Sequence, residues 1–118
     1  MVAEANAAVE VVPAAQAVAL ASDPEVVFVD VRDAAEREQT GTVRGAVHAP
    51  RAFLEFLADP ASERHLRQLS PDKRLVLFCA SGGRSALAGK TLKEMGFERV
   101  AHVPGGFPAW KEAGGPTE

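Results

Sequence analysis

The chain has 118 residues, enough for one domain around one hydrophobic core, and its 47% hydrophobic and 25% charged content is that of a globular protein. A formal net charge of −3 argues against the basic face that nucleic-acid binders carry, and no apolar run approaches the ~20 residues of a membrane span. A single cysteine allows no internal disulfide, Met1–Asn6 lacks the basic start of a secretory signal, and His48, His65 and His102 are too scattered for a metal site. A cytoplasmic, metal-free protein is therefore expected.

Residues 1–8 are alanine-rich and unpatterned and are expected to form a flexible lead to a domain over 9–113, with 114–118 as a C-terminal tail. Val9–Val12 reads as a short strand closed by Pro13. Ala14–Ala21 consists of good helix formers with Pro13 at the first turn, and Ser22–Glu25 ends it. Val26–Val31 is β-branched and aromatic without alternation, which suits a strand buried on both faces of a parallel sheet. Asp33 is placed to cap a short helix over 34–39, with Glu36 at capping-box spacing and Thr40-Gly41 as the stop. A loop over 41–46 leads to a short strand at 46–49, ended by Pro50.

Phe53, Leu54, Phe56 and Leu57 fall on one helical stripe, and Asp59-Pro60 breaks that helix. A second, more polar helix is predicted over 61–69, ended by Ser70-Pro71. Leu75–Phe78 is an apolar strand running directly into Cys79. The spacing of Leu87, Ala88, Leu92 and Met95 predicts a helix over 85–95, stopped by Gly96. Arg99–Val103 is the last strand, Pro104–Phe107 turns into a closing helix with Trp110, and Gly114-Gly115-Pro116 ends the ordered chain. Strands alternate with helices, so the expected fold is a single α/β domain. Its mostly parallel sheet of about five strands has helices on both faces. Ligands bind such sheets at the carboxyl ends of the strands, where Asp30-Val31-Arg32, His48–Arg51 and Cys79 gather.

The turn after Leu75–Phe78 carries the chemistry. A free cysteine is often a small buried hydrophobe, but Ser81, Gly82, Gly83 and Arg84 are poor core residues. Glycines let successive N–H groups point inward as a nest for negative charge, and the helix starting near Ser85 adds its positive end. A thiol there ionises more readily than a free one. Cysteine phosphatases use a loop with five residues between cysteine and arginine, sized for a phosphoryl group. Here four residues separate Cys79 from Arg84, a tighter cradle that suits a single bound sulfur.

These residues resemble the rhodanese (sulfurtransferase) family. The resemblance rests on Asp30-Val31-Arg32 with Glu36, on Gly41-Thr42-Val43-Arg44-Gly45-Ala46, on the Cys79–Ser85 loop, and on Gly105-Gly106-Phe107 with Trp110, all in the family's order. The segment 45–51 with Leu54-Glu55-Phe56, and the ending from Gly105 to Pro116, are similar to the polysulfide-sulfurtransferase branch. The resemblance implies a rhodanese-like fold and a two-step transfer. Cys79 thiolate takes the sulfane sulfur of an anionic donor, thiosulfate or polysulfide, and forms a persulfide. Cyanide, a thiol or a protein cysteine then removes it. No cofactor beyond that persulfide is implied. Ala80, Ser81, Gly82, Gly83, Arg84 and Ser85 would hold the bound sulfur, with Arg84 orienting the donor, and no histidine is required as a base. Thr42 and Arg44 stand where the family often has His and Pro. Ala80 replaces a frequent basic residue, which weakens the pull on a dianion and leaves the donor open.

Asp30 and Arg32 read as a structural rim of the site, Arg32 pairing with Glu36. Arg44 and Arg51 read as solvated surface, His48 and His102 as ordinary hydrogen-bonding residues, and Phe107 and Trp110 as core anchors. The stretch 51–70 is longer than a βα connection needs: it is expected either to cap the pocket and help select the donor, or simply to pack through Phe53, Leu54, Phe56 and Leu57. The competing functions are a non-enzymatic rhodanese-like binding or redox-sensing module, and a cysteine-dependent phosphatase or arsenate reductase.

Overall fold

The structure, a computed structural model, describes Ala5 and residues 8–118. Most of the lead expected over 1–8 lies outside the described residues; within it, Ala5 is buried and its carbonyl accepts from Val9 N–H. Five strands are described: β1 (Glu10–Val11), β2 (Val26–Asp30), β3 (Val47–His48), β4 (Arg74–Phe78) and β5 (Val100–His102). They form one parallel sheet in the order β1-β5-β4-β2-β3. Among the described residues they are accompanied by the α-helices α1 (Ala14–Ala19), α2 (Ala34–Thr40), α3 (Leu54–Ala58), α4 (Gly83–Glu94) and α5 (Gly106–Glu112). Among the described residues no helix is long and apolar enough to cross a membrane.

The central strands lack alternation because both faces are covered. Val29, Val31, Leu75, Leu77 and Cys79 face a cluster with Leu54, Ala58, Leu69, Ala88 and Leu92. Phe28, Val76, Phe78, Ala101 and Val103 face a second cluster with Ala17, Phe107 and Trp110. Each fully buried Leu or Phe contributes about 1.5–3 kcal/mol over its exposed state, so this two-sided burial dominates the stability of the sheet. Trp110 meets Phe28 edge-on, with ring centroids 5.0 Å apart.

Three expectations are corrected. Residues 61–69 form turns rather than a helix. Leu66 N–H and the His65 ring both bond the Leu57 carbonyl oxygen, and this anchoring to the preceding segment replaces the helical ladder. Residues 51–53 form a 3₁₀ turn ahead of α3, so the stripe breaks up. Leu54 and Ala58 are buried, while Phe53 and Phe56 are 52% and 62% exposed. The last residues are not a free tail. Val43 bridges Thr117, the backbones of Thr42 and Glu118 exchange two hydrogen bonds, and Trp110 Nε1 donates to the Pro116 carbonyl at 3.0 Å. Gly115 lies so close to the indole that a Cβ there would fall 2.1 Å from a ring carbon.

Candidate active site

Parallel pairing brings all the strand ends to one edge. Asp30 is in register with Phe78, and Leu77 with His102, so the chain after each strand emerges at one level. Cys79 continues the β4 alternation onto the α4 face, one step beyond Leu77. Gly82 then takes φ +102°, a left-handed conformation open mainly to glycine, and turns the chain into α4. Its N–H comes back to donate to Cys79 Sγ at 3.0 Å, and Ser85 Oγ lies 3.7 Å from the sulfur. The Cys79 carbonyl is held separately, accepting from Phe107 N–H at 2.8 Å. Gly106 has φ +61° and leaves no room for a side chain, since a Cβ would lie 2.0 Å from that carbonyl oxygen. The Gly105-Gly106-Phe107 segment thus acts as the clamp on the cysteine peptide.

Cys79 is fully enclosed, and that burial pushes its thiol up. The amides of Ser85, Ser81 and Gly82 and the Ser85 hydroxyl together outweigh it, and the net shift is downward. Of the two glycines, Gly82 supplies the backbone donor to the sulfur.

Arg84 does not reach over the loop. Its two terminal nitrogens donate to Glu36 Oε1 and Oε2 at 2.5 and 2.8 Å, a bidentate pair between α4 and α2. The Arg84 hydrogen bonds hold the Glu36 carboxyl at about 2 against its usual 4.5, burial opposing them. Asp33 caps α2 as expected, its carboxylate accepting from Glu36 N–H at 3.0 Å, and the reciprocal bond completes the capping box. Glu36 therefore serves the cap and Arg84 together.

The expected Arg32–Glu36 pair is replaced by Arg32 with Asp30. Both are buried; Nε and Nη2 of Arg32 donate to the Asp30 carboxylate at 3.0 and 2.8 Å, and Thr42 Oγ1 donates to it at 2.9 Å. The remaining Arg32 donors reach Thr40 Oγ1 and the Gly41 carbonyl, and its guanidinium lies 4.7 Å from the Phe107 ring centroid. A near neighbour in sequence wins over Glu36 because Asp30 is already desolvated at the strand end. His48 bonds the Arg32 carbonyl oxygen at 2.9 Å. Ala80 lines a cleft of about 500 Å³ with Glu36, Gln39, Phe107, Pro108 and Lys111, beside the cysteine turn; Cys79 itself does not line it.

One residue near the sulfur had no signal in the sequence. His102, at the end of β5, is buried with Nδ1 3.0 Å from Ser85 Oγ, two hydrogen bonds from Cys79. Only the parallel register of β5 with β4 reveals it.

The rhodanese-like domain family matches residues 13–113. The chain belongs to this family. Among solved structures, a protein from Rhodopseudomonas palustris, described as of unknown function and a possible tyrosine phosphatase, superposes with TM-score 0.93 at 44% identity. That match covers 99% of this chain and 90% of that one. The polysulfide-sulfur transferase homodimer of Wolinella succinogenes superposes with TM-score 0.79 at 33% identity, over 99% of this chain and 83% of that one. Among curated proteins, the tRNA uridine(34) hydroxylase of Teredinibacter turnerae is 36% identical over 96 residues. The match covers 80% of this chain, which spans only 28% of that relative's length.

Proposed function

We propose that this rhodanese-like domain is a sulfurtransferase that carries a sulfane sulfur on Cys79. The observation that carries the proposal is the enclosed Cys79 sulfur at a parallel strand end, bonded by Gly82 N–H at 3.0 Å and held toward its thiolate form by the loop amides. Likeness to the Wolinella transferase over nearly the whole chain supports it.

In the first half-reaction the thiolate attacks the outer sulfur of thiosulfate. A Cys79 S–S bond forms, the donor S–S bond breaks, and sulfite leaves with the electron pair. A polysulfide donor would lose a shortened chain instead. In the second half, a thiolate acceptor, free or on a protein cysteine, attacks the outer persulfide sulfur and regenerates Cys79 thiolate. The amides from Ala80 to Ser85 stabilise negative charge at both stages, and the sulfur travels covalently without a separate cofactor. Arg84 meets an anionic donor by exchanging Glu36 for it.

A phosphatase reading, suggested by the description of the Rhodopseudomonas protein, sits poorly with four residues between Cys79 and Arg84 and with an arginine already paired. The test is an intact mass after incubation with thiosulfate or polysulfide and desalting. One added sulfur, removed by cyanide or dithiothreitol and absent in Cys79→Ala, is expected. No adduct from any donor, together with turnover of an aryl phosphate, would overturn the reading.

A further inference from the structure

The buried cysteine is joined to the buried histidine through one hydroxyl. Ser85 Oγ stands 3.7 Å from Cys79 Sγ, 3.0 Å from His102 Nδ1 and 3.1 Å from the Gly82 carbonyl oxygen. A serine hydroxyl has one hydrogen to give and lone pairs with which to accept. Beside a neutral thiol, S–H donates to Oγ, and the hydroxyl hydrogen goes to Nδ1 or to the Gly82 carbonyl. Beside a thiolate, that hydrogen is needed at the sulfur. Nδ1 then keeps its bond to Oγ only by carrying a hydrogen itself. The hydrogen bonds along this row therefore reverse together when Cys79 ionises.

We propose that His102 receives the Cys79 proton by way of Ser85. The S–H bond breaks, its electron pair stays on sulfur, and its proton joins Ser85 Oγ as the hydroxyl's own proton moves to His102 Nδ1. The product is a thiolate and an imidazolium bridged by the serine, with no net change in charge. The donor never touches His102, which acts through Ser85 as a positioning residue. The proposal rests on the reading of Cys79 as the sulfur carrier, since each cycle needs the thiolate.

Burial lowers the His102 pKa and so opposes the imidazolium, a cost that the nearby thiolate must offset. A bare thiolate in an enclosed site carries an uncompensated charge, whereas an internal transfer leaves the site neutral as a whole. The elements packed against His102 are β1, β4, the cysteine loop, α4 and the 103–106 turn. Of their described titratable and charged groups, Cys79 faces it through Ser85. Glu10 pairs with Arg74, and Arg84 with Glu36. Lys93 and Glu94 on α4 are exposed, and Lys90 is half-buried.

The experiment follows both groups in the same protein. Cys79 is the only cysteine, so thiolate ultraviolet absorbance, blanked with Cys79→Ser, reports its ionisation. Ring-nitrogen chemical shifts report His102, assigned by comparison with His102→Asn. In the unsubstituted protein the His102 ring is expected to be protonated across the pH range in which the thiolate forms and to lose that proton only above it, and in Cys79→Ser the protonated ring is expected to be absent from that range. In His102→Asn the thiolate midpoint is expected to rise by about one pH unit, which is about tenfold less thiolate below the midpoint. Sulfur loading from thiosulfate should slow by about the same factor near neutral pH and recover at higher pH. A His102 ring that stays neutral through the thiolate transition overturns the proposal, and so does an unmoved midpoint in a folded His102→Asn. The ring signal can also be assigned in the unsubstituted protein through the sequential backbone connectivities of His102, so the measurement decides the question even if His102→Asn does not fold. Should the unsubstituted protein take up no sulfur while the protonated ring still accompanies the thiolate, the sulfurtransferase reading fails and the proton path stands.

Discussion

Gly106→Ala tests the clamp on the cysteine peptide. A Cβ at this position would lie 2.0 Å from the Cys79 carbonyl oxygen and 2.7 Å from its carbon. The neighbour is backbone, so relief requires moving the carbonyl by about 1 Å, away from the Phe107 N–H that bonds it at 2.8 Å. Losing that buried bond costs about 1–3 kcal/mol. The left-handed backbone, φ +61°, adds about 1–2 kcal/mol for any residue with a Cβ. The expected destabilisation is about 2–5 kcal/mol. Gly45→Ala is the control, because Gly45 has φ +77° but nothing within 4 Å of the added carbon, and only the backbone cost applies. Urea unfolding of both variants beside the parent measures the difference. If Gly106→Ala comes within about 0.5 kcal/mol of Gly45→Ala, the clamp argument is refuted.

Two further substitutions address the charged groups at the same edge. Asp30→Asn replaces a buried carboxylate that neutralises Arg32 and leaves an unpaired guanidinium in the core; a loss of about 3–5 kcal/mol in the same urea assay is expected, and a loss below about 1 kcal/mol would contradict the pairing. Glu36→Gln should release Arg84 and lower the KM for thiosulfate more than that for a neutral sulfane donor, in steady-state assays at low salt; equal KM changes would show that Arg84 does not serve the anion. The same pair makes a pH prediction. A carboxyl lowered to about 2 in the folded protein from 4.5 stabilises fully above 4.5 and loses that contribution as pH falls through about 2. The stability gap between the parent and Glu36→Gln should therefore narrow only on acidification below 4.5, not between neutral pH and 5.

Local chemistry was readable wherever it decided the structure. Asp33 and Glu36 announced their cap, Val26–Val31 its two-sided burial, and Cys79–Ser85 its turn, because each depends on neighbours within a few residues. The failures have long-range causes. Residues 61–69 contain helix formers, yet Leu57 offers its carbonyl and Leu69 finds the core, and these contacts override a propensity of a few tenths of a kcal/mol per residue. Glu36 had two arginines within reach of the same rim, and spacing favoured Arg32. The fold gave it Arg84, 48 positions away. His102 and the 114–118 segment share this origin: their partners are set by sheet register and by the return of the chain past Thr42.

The complete enclosure of Cys79 sets an order of events in time. A reagent reaches the Cys79 sulfur only when its cover opens, so the reactivity of this thiol depends on two stages, opening and then attack. The turn from Cys79 to Arg84 is pinned at both ends, one by the Phe107 amide and the other by the Arg84–Glu36 pair. A buried thiol is spared the peroxides that carry exposed thiolates to irreversible acids. The same enclosure that slows a reagent's entry thereby preserves the thiol between encounters.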